Sequence, residues 1–342
     1  MSAERLGGDV ASAWNCTYRG NQKYDAWLQW SVVDICNMKC DFCLLPLNQQ
    51  DAPDSKKRIF EKFFNTIKVC GFSGAFSVFQ SVFRQALPRR GPGRINIPAL
   101  MRTLARTGRT FRIGFTGGEP FLIPNLVEAC EALTTKHYIS LNTNLVSNDI
   151  KKFCDRIDPL RVVHFHASTH IKELERLNLL ERYISNFVLC QTKGFNIFSR
   201  EVAYPPLLSE VEKYKKLFGE RGIDLTFGPF IGWYDGKQYP QAYTDDDIRA
   251  FGLNTTSDSD IRHFYQQGKL CNAGYNVGVV DAYGEIRPCY SIYRTLGNIY
   301  GDIRFRDKLI KCPFGFCDCP LKDFDNYLFD RALKGRPIAS GK

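Results

Sequence analysis

Cys36, Cys40 and Cys43 stand in the run Cys36-Asn-Met-Lys-Cys40-Asp-Phe-Cys43, a C-x3-C-x2-C spacing. Three thiolates on so short a loop can cap one face of a 4Fe–4S cluster, which ordinarily takes four ligands. Supplying three leaves one iron open to an external molecule, which a cluster built only for electron transfer does not need. The competing reading is a zinc knuckle. Zinc sites favour paired C-x2-C units with a second pair close by, and no further Cys or His follows here within a short distance. Downstream, Thr116-Gly117-Gly118-Glu119-Pro120 reads as a strand-to-helix turn, since Gly-Gly and Pro are turn residues. The same turn lets backbone approach a ligand, and a carboxylate at its tip can accept from an ammonium group.

The chain has 13 cysteines in all. Cys271, Cys289, Cys312, Cys317 and Cys319 form a second group, enough to ligate one more 4Fe–4S cluster with one thiol to spare. A structural zinc site would use the same ligands. Cys16, Cys70, Cys130, Cys154 and Cys190 stand alone. The last three fall in expected helices and read as small buried hydrophobes. His164 and His166 share one face of an expected strand, with His170 just beyond it. Hydrogen bonding inside the fold is the plainer reading for them than a metal or a general base.

These residues need a scaffold, and the pattern around them alternates strand and helix from residue 27 onward. Strands are predicted at Trp27–Val33, Phe111–Thr116, His137–Asn142, Arg161–Ala167, Phe195–Tyr204 and Ile223–Phe227. Between them, helices are predicted at Pro98–Arg106, Pro124–Lys136, Asn148–Arg156, Lys172–Lys193 and Ser209–Gly219, the last opening on a Ser209/Glu212 capping box. Two further helices, Ser55–Val69 and the Phe-rich Ala75–Leu87, precede a basic loop at Arg89–Arg94. Six β/α units imply an α/β fold with a parallel sheet: a partial (β/α)6 TIM-like barrel, with a doubly wound sheet as the alternative. Residues 232–260 lack periodicity and suit a linker or lid. Tyr275–Asp281 and Glu285–Tyr290 form an expected hairpin turning at Ala282–Gly284. The expected division is an N-terminal extension (1–26), the barrel (27–230, with an insertion about 44–97), a linker (231–267) and a small C-terminal domain of hairpin plus helix (268–342).

The 342 residues, 44% of them hydrophobic, suffice for a sizeable core, and the net charge of +10 reads as solvated surface. No secretory signal opens the chain, and no apolar run nears the ~20 residues needed to cross a bilayer. A cytoplasmic protein is expected, in a reducing compartment where clustered cysteines serve as metal ligands.

The cysteine loop, with aromatic Phe42 before its last cysteine, resembles the signature of the radical S-adenosylmethionine (SAM) superfamily. Gly117-Gly118-Glu119-Pro120 resembles that family's motif for the methionine amino group of SAM. Asn142-Thr143-Asn144 is similar to its Thr-Asn-Gly stretch near the ribose, with Leu145 in place of the glycine. The resemblance implies that Cys36, Cys40 and Cys43 hold a SAM-binding 4Fe–4S cluster and that Phe42 contacts adenine. It further implies Ser168 near the ribose and Arg200 near the SAM carboxylate. The C-x12-G-x4-C run from Cys271 to Cys289, followed by Leu296-Gly297-Asn298-Ile299, resembles the SPASM and twitch extensions. That implies an auxiliary 4Fe–4S cluster among Cys271, Cys289, Cys312, Cys317 and Cys319.

The implied activity is reductive cleavage of SAM to a 5′-deoxyadenosyl radical, with an electron from a donor such as flavodoxin or ferredoxin. The radical then takes hydrogen from the substrate, for oxidation or epimerisation. Because few residues precede the first strand, a small polar metabolite or natural-product precursor is expected. A ribosomal-peptide maturase, an RNA-modifying enzyme and a non-catalytic metal-stabilised binding protein are the alternatives. No nucleic-acid recognition module is legible, so neither nucleic acid nor membrane is an expected partner.

Overall fold

The computed structural model describes residues 22–43, 93–253, 261–262, 267–292, 294–313 and 326–333. The helices expected at 55–69 and 75–87, most of the basic loop after them, and Cys16, Cys70, Cys317 and Cys319 lie outside the described residues.

Six parallel strands form in chain order: β1 (Ala26–Val33), β2 (Phe111–Gly117), β3 (Tyr138–Thr143), β4 (Val162–Ser168), β5 (Ile197–Ala203) and β6 (Leu225–Pro229). Each is bonded to the next in sequence, so every crossover runs the same way around. A doubly wound sheet would reverse direction midway. The unbroken order is that of a barrel, and among the described residues it stays open, with β6 at an edge of the sheet.

The crossovers carry α1 (Ile97–Arg106), α2 (Leu126–Thr134), α3 (Ile150–Arg156), α4 (Ile171–Arg176), α5 (Leu180–Thr192) and α6 (Val211–Gly219). Alternation along each strand gives the sheet two chemically different faces. Leu28, Ile113, Phe115, Leu141 and Phe165 point outward and are buried in the core cluster that also holds Leu100, Leu126 and Phe153 from the helices. Each such side chain contributes about 1.5–3 kcal/mol on burial. Gln29, Thr116, Asn142, His166, Ser168 and Arg200 share the inner face.

The hairpin expected near the C-terminus forms from β10 (Val277–Val280) and β11 (Glu285–Arg287), turning at Gly284 with φ +81°. It does not stand apart. β10 lies parallel against β1, Trp27 opposite Val277, and β11 and β12 (Gly297–Asn298) follow to complete nine strands. β1 is therefore central, and Trp27 and Trp30 are each 1% exposed.

Four local expectations need correction. The helix expected over 172–193 is two, α4 and α5, because Asn178 takes φ +53° and the Leu179 amide closes back on the Leu174 carbonyl, an Asn-ended helix cap. α6 starts at Val211 after a 3-10 turn, Pro205–Glu210, and has no side-chain cap, so the Ser209/Glu212 box is not formed. α2 starts at Leu126 and not Pro124; the Asn125 side chain pairs instead with both backbone groups of Ile95. Residues 232–260 hold a hairpin, β7 (Gly232–Tyr234) with β8 (Lys237–Tyr239), and a helix, α7 (Asp245–Phe251), opened by a Thr244/Asp247 capping box.

Candidate functional site

The cysteine loop leaves the C-terminal end of β1, and the glycine turn leaves the C-terminal end of the adjacent β2. Two backbone bonds join them: Gly118 N–H donates to Val33 O at 2.7 Å and Glu119 N–H to Ile35 O at 2.9 Å. The two glycines are what this join demands. A Cβ on Gly117 (φ +119°) would stand 2.2 Å from Val33 O, and one on Gly118 would stand 1.8 Å from Ile35 O. Their bareness serves an approach of chain to chain.

Glu119 is buried at 2% exposure, and its carboxylate is fully engaged within the chain. Oε1 accepts from Phe121 N (3.0 Å) and Thr143 Oγ1 (2.7 Å), and Oε2 from Asn144 N (2.8 Å). Burial pushes its pKa up, while the three donors pull it down. The residue clamps the turn to the end of β3. Asn144 continues the link: its Nδ2 donates to Asn37 Oδ1 at 2.7 Å and lies 4.0 Å from Cys36 Sγ. Leu145, standing where the resembled stretch has glycine, is buried and takes φ +60°, so the backbone keeps a conformation that favours glycine.

Cys36 is exposed, Cys43 half-buried and Cys40 buried. The Met38 amide donates to Cys36 Sγ (3.4 Å), and the Cys43 amide to Cys40 O (3.1 Å). Burial first, then the neighbouring thiols, raises the pKa of Cys40. Among the described residues no group of three His, Cys, Asp or Glu side chains is drawn together as a metal site. Cys36, Cys40 and Cys43 lie within one eight-residue run, and a cubane takes each thiolate on a separate iron. Glu173, which sequence reasoning missed, accepts from Lys39 N at 2.7 Å. A contact across 134 positions leaves no local signal.

The remaining candidates line the same end of the sheet. Asn142 and His166 are opposite one another, as are Ser168 and Arg200. His166 stacks on Phe198 (4.9 Å between ring centres), and burial lowers its pKa to about 3, so it is neutral. His164 lies beside the Arg112 guanidinium (3.3 Å), and burial and that charge hold it neutral too. Phe42 packs against His170 (5.3 Å) and Tyr204 (5.5 Å), and Tyr204 meets Phe230 and Tyr234. This aromatic rim, fed by the β7–β8 hairpin, was not anticipated from the sequence.

The second cysteine group sits elsewhere. β9 (Leu270–Cys271) pairs with β13 (Ile310–Lys311), and Cys312 N donates to Lys269 O, which brings Cys271 and Cys312 alongside. Cys271 and Cys289 both pack on a small cluster with Tyr24, Trp27, Val277 and Leu328. Register places them beyond the N-terminal end of β10, level with Trp27, whereas Cys36 follows the other end of β1. At ~3.3 Å per residue, roughly 20 Å of strand separates the two groups. Of the solitary cysteines, Cys130, Cys154 and Cys190 are buried, and the sulfurs of the last two are 3.4 Å apart.

No helix among the described residues is long and apolar enough to cross a membrane. No family model and no curated protein matches the chain. Solved structures do match. SuiB of Streptococcus suis bound to S-adenosylmethionine aligns with a TM-score of 0.45 and 15% identity, over 78% of this chain and 60% of that one. SuiB bound to the precursor peptide SuiA aligns with a TM-score of 0.45 and 15% identity, over 81% and 63%. The protein anSMEcpe with bound AdoMet aligns with a TM-score of 0.46 and 15% identity, over 80% and 77%. The chain thus spans about three-fifths of the length of SuiB. In the path of its chain, this protein is similar to these S-adenosylmethionine-bound proteins.

Proposed function

We propose that the chain is a radical SAM enzyme, with Cys36, Cys40 and Cys43 holding a 4Fe–4S cluster and the neighbouring strand ends holding SAM. The observation that carries this reading is the join between cysteine loop and glycine turn. Two motifs 74 positions apart, counting from Cys43 to Gly117, are stitched backbone to backbone and tied through Asn144 to β3. Bound there, the cluster and SAM together supply reductive sulfur–carbon cleavage and a 5′-deoxyadenosyl radical that abstracts hydrogen. The chain's own part is to bind and orient. Phe42, backed by His170 and Tyr204, offers adenine an aromatic wall. Asn142 and Ser168 offer the ribose polar partners, and Arg200 offers a carboxylate its fork. Glu119 acts through Thr143 and Asn144, as the clamp that aligns two strand ends.

Cys271, Cys289, Cys312, Cys317 and Cys319 supply four ligands and one spare for an auxiliary 4Fe–4S cluster, in the C-terminal segment beginning near residue 268. The position of Cys271 and Cys289 at the far end of β1 supports a structural or electron-relay role for it over direct oxidation of a substrate radical.

As substrate we infer a side chain carried on a peptide. The supporting observation is the open sheet: among the described residues β6 has a strand partner on one side only, and an aromatic rim of Tyr204, Phe230 and Tyr234 borders the inner face. A small polar metabolite is the second reading, favoured by the polar inner face at Asn142, Ser168 and Arg200. The shortness of the segment before β1 decides nothing between them. Anaerobic reconstitution with iron and sulfide is expected to give a brown protein with about eight irons per chain. Reduction in the presence of SAM is expected to release 5′-deoxyadenosine. A colourless protein that takes up only zinc overturns the reading.

A further inference from the structure

We propose that Glu173 is a positioning residue for the cysteine loop and sets the electrostatic environment of the group that the loop holds; this rests on the cluster reading above. Residues 34–43 contain no helix or strand, so their amides have no ladder to satisfy them. Two of the loop's amides bond locally, Met38 N to Cys36 Sγ and Cys43 N to Cys40 O. The loop's centre is tied down from outside. Lys39, the residue before Cys40, donates its amide to Glu173 Oε2 at 2.7 Å.

That carboxylate is itself held. Arg176 grips it with a fork, Nε to Oε1 at 2.7 Å and Nη2 to Oε2 at 2.8 Å, which fixes the plane of the acceptor. Glu173 is 8% exposed and sits on α4, whose first amide, Ile171 N, donates to Glu201 Oε2 at 2.6 Å. The chain of support therefore runs from β5 through Glu201 and α4 to Glu173, and across to the loop on β1.

The charge matters as well as the contact. Glu173 Oε2 stands 2.7 Å from the amide of Lys39, the residue next to Cys40. A carboxylate at that distance disfavours an added electron on a thiolate-held cluster, so Glu173 holds the reduction potential down. Arg176, 53% exposed, offsets this only in part because water screens it.

Two variants separate contact from charge. Glu173→Gln keeps an acceptor for Lys39 and removes the charge; Glu173→Ala removes both. Full-length reconstituted protein is measured for iron per chain after challenge with a chelator, and for midpoint potential by EPR-monitored titration. Glu173→Ala is expected to weaken iron retention by about tenfold, the loss of one charge-assisted hydrogen bond. Glu173→Gln is expected to retain iron nearly as the parent does and to titrate at a more positive potential. A purely structural role would leave that potential unmoved. If both variants keep the parent's iron and the parent's potential, the proposal is overturned. If Glu173→Ala fails to fold by circular dichroism, the potential of Glu173→Gln decides. A parent protein that takes up no iron–sulfur cluster overturns the cluster reading itself, which these two variants do not touch.

Discussion

Single residues decide whether the two motifs meet. Gly118 faces Ile35 O so closely that one methyl group would occupy the carbonyl's place. Gly118→Ala is expected to destabilise the fold by about 3 kcal/mol. It should also abolish cluster uptake, by pushing the cysteine loop off β2; denaturant midpoints and iron content check both. Glu201 gives a pH signature. It is 1% exposed, and burial raises its pKa from 4.5 to about 7 against the pull of the Ile171 and Val202 amides. The folded chain thus keeps a proton that the unfolded chain has lost between those values. Stability is therefore greatest at the acid end of that window and falls as pH rises through it, by on the order of 3 kcal/mol. Glu201→Gln is expected to flatten that slope, which chemical denaturation at about pH 5 and about pH 7.5 measures.

At the scale of elements, caps and breaks decide where helices begin and end. Asn178 ends α4 in a left-handed conformation that Asn tolerates and β-branched residues do not. Without that break, α5 could not turn to lay Asn186 Nδ2 on Leu145 O at 2.8 Å, the bond that steadies the loop after Asn144. Asn178→Val is expected to cost about 1–2 kcal/mol and Asn178→Gly little, read as a difference in melting temperature. Thr244→Ala removes the capping box of α7 and is expected to cost about 1 kcal/mol. Asn178 and the Thr244/Asp247 pair were both legible in principle. The first was hidden by an apolar periodicity that runs across the break, and the second by the shortness of a seven-residue helix.

For the whole molecule, the consequential finding is that β10 sits on β1. A chain ending at residue 267 would leave β1 as an edge with Trp27 and Trp30 uncovered on that side, a template for aggregation. Such a fragment is expected to be insoluble or oligomeric by size-exclusion chromatography. A soluble monomer with the parent's denaturation midpoint would show the barrel to be independent of the C-terminal segment. Replacing Cys271 and Cys289 together with serine is expected to lower stability and iron content while leaving 5′-deoxyadenosine release in place. Loss of that release with the first cluster intact would point to an obligatory relay.

The alternation of strand and helix, the six parallel strands, the cysteine loop and the glycine turn were legible in the sequence, because each is written in contiguous residues with local periodicity or spacing. Tertiary structure alone decided that the glycines serve the meeting of two backbones, that Glu119 is spent on Thr143 and Asn144, and that Glu173 holds Lys39. It also decided that Cys271 and Cys289 stand at the other end of β1 from Cys36. The reason is physical: a hydrogen bond or a steric fit between residues a hundred positions apart depends on the register of strands and the tilt of helices, and leaves no pattern in the segments on either side.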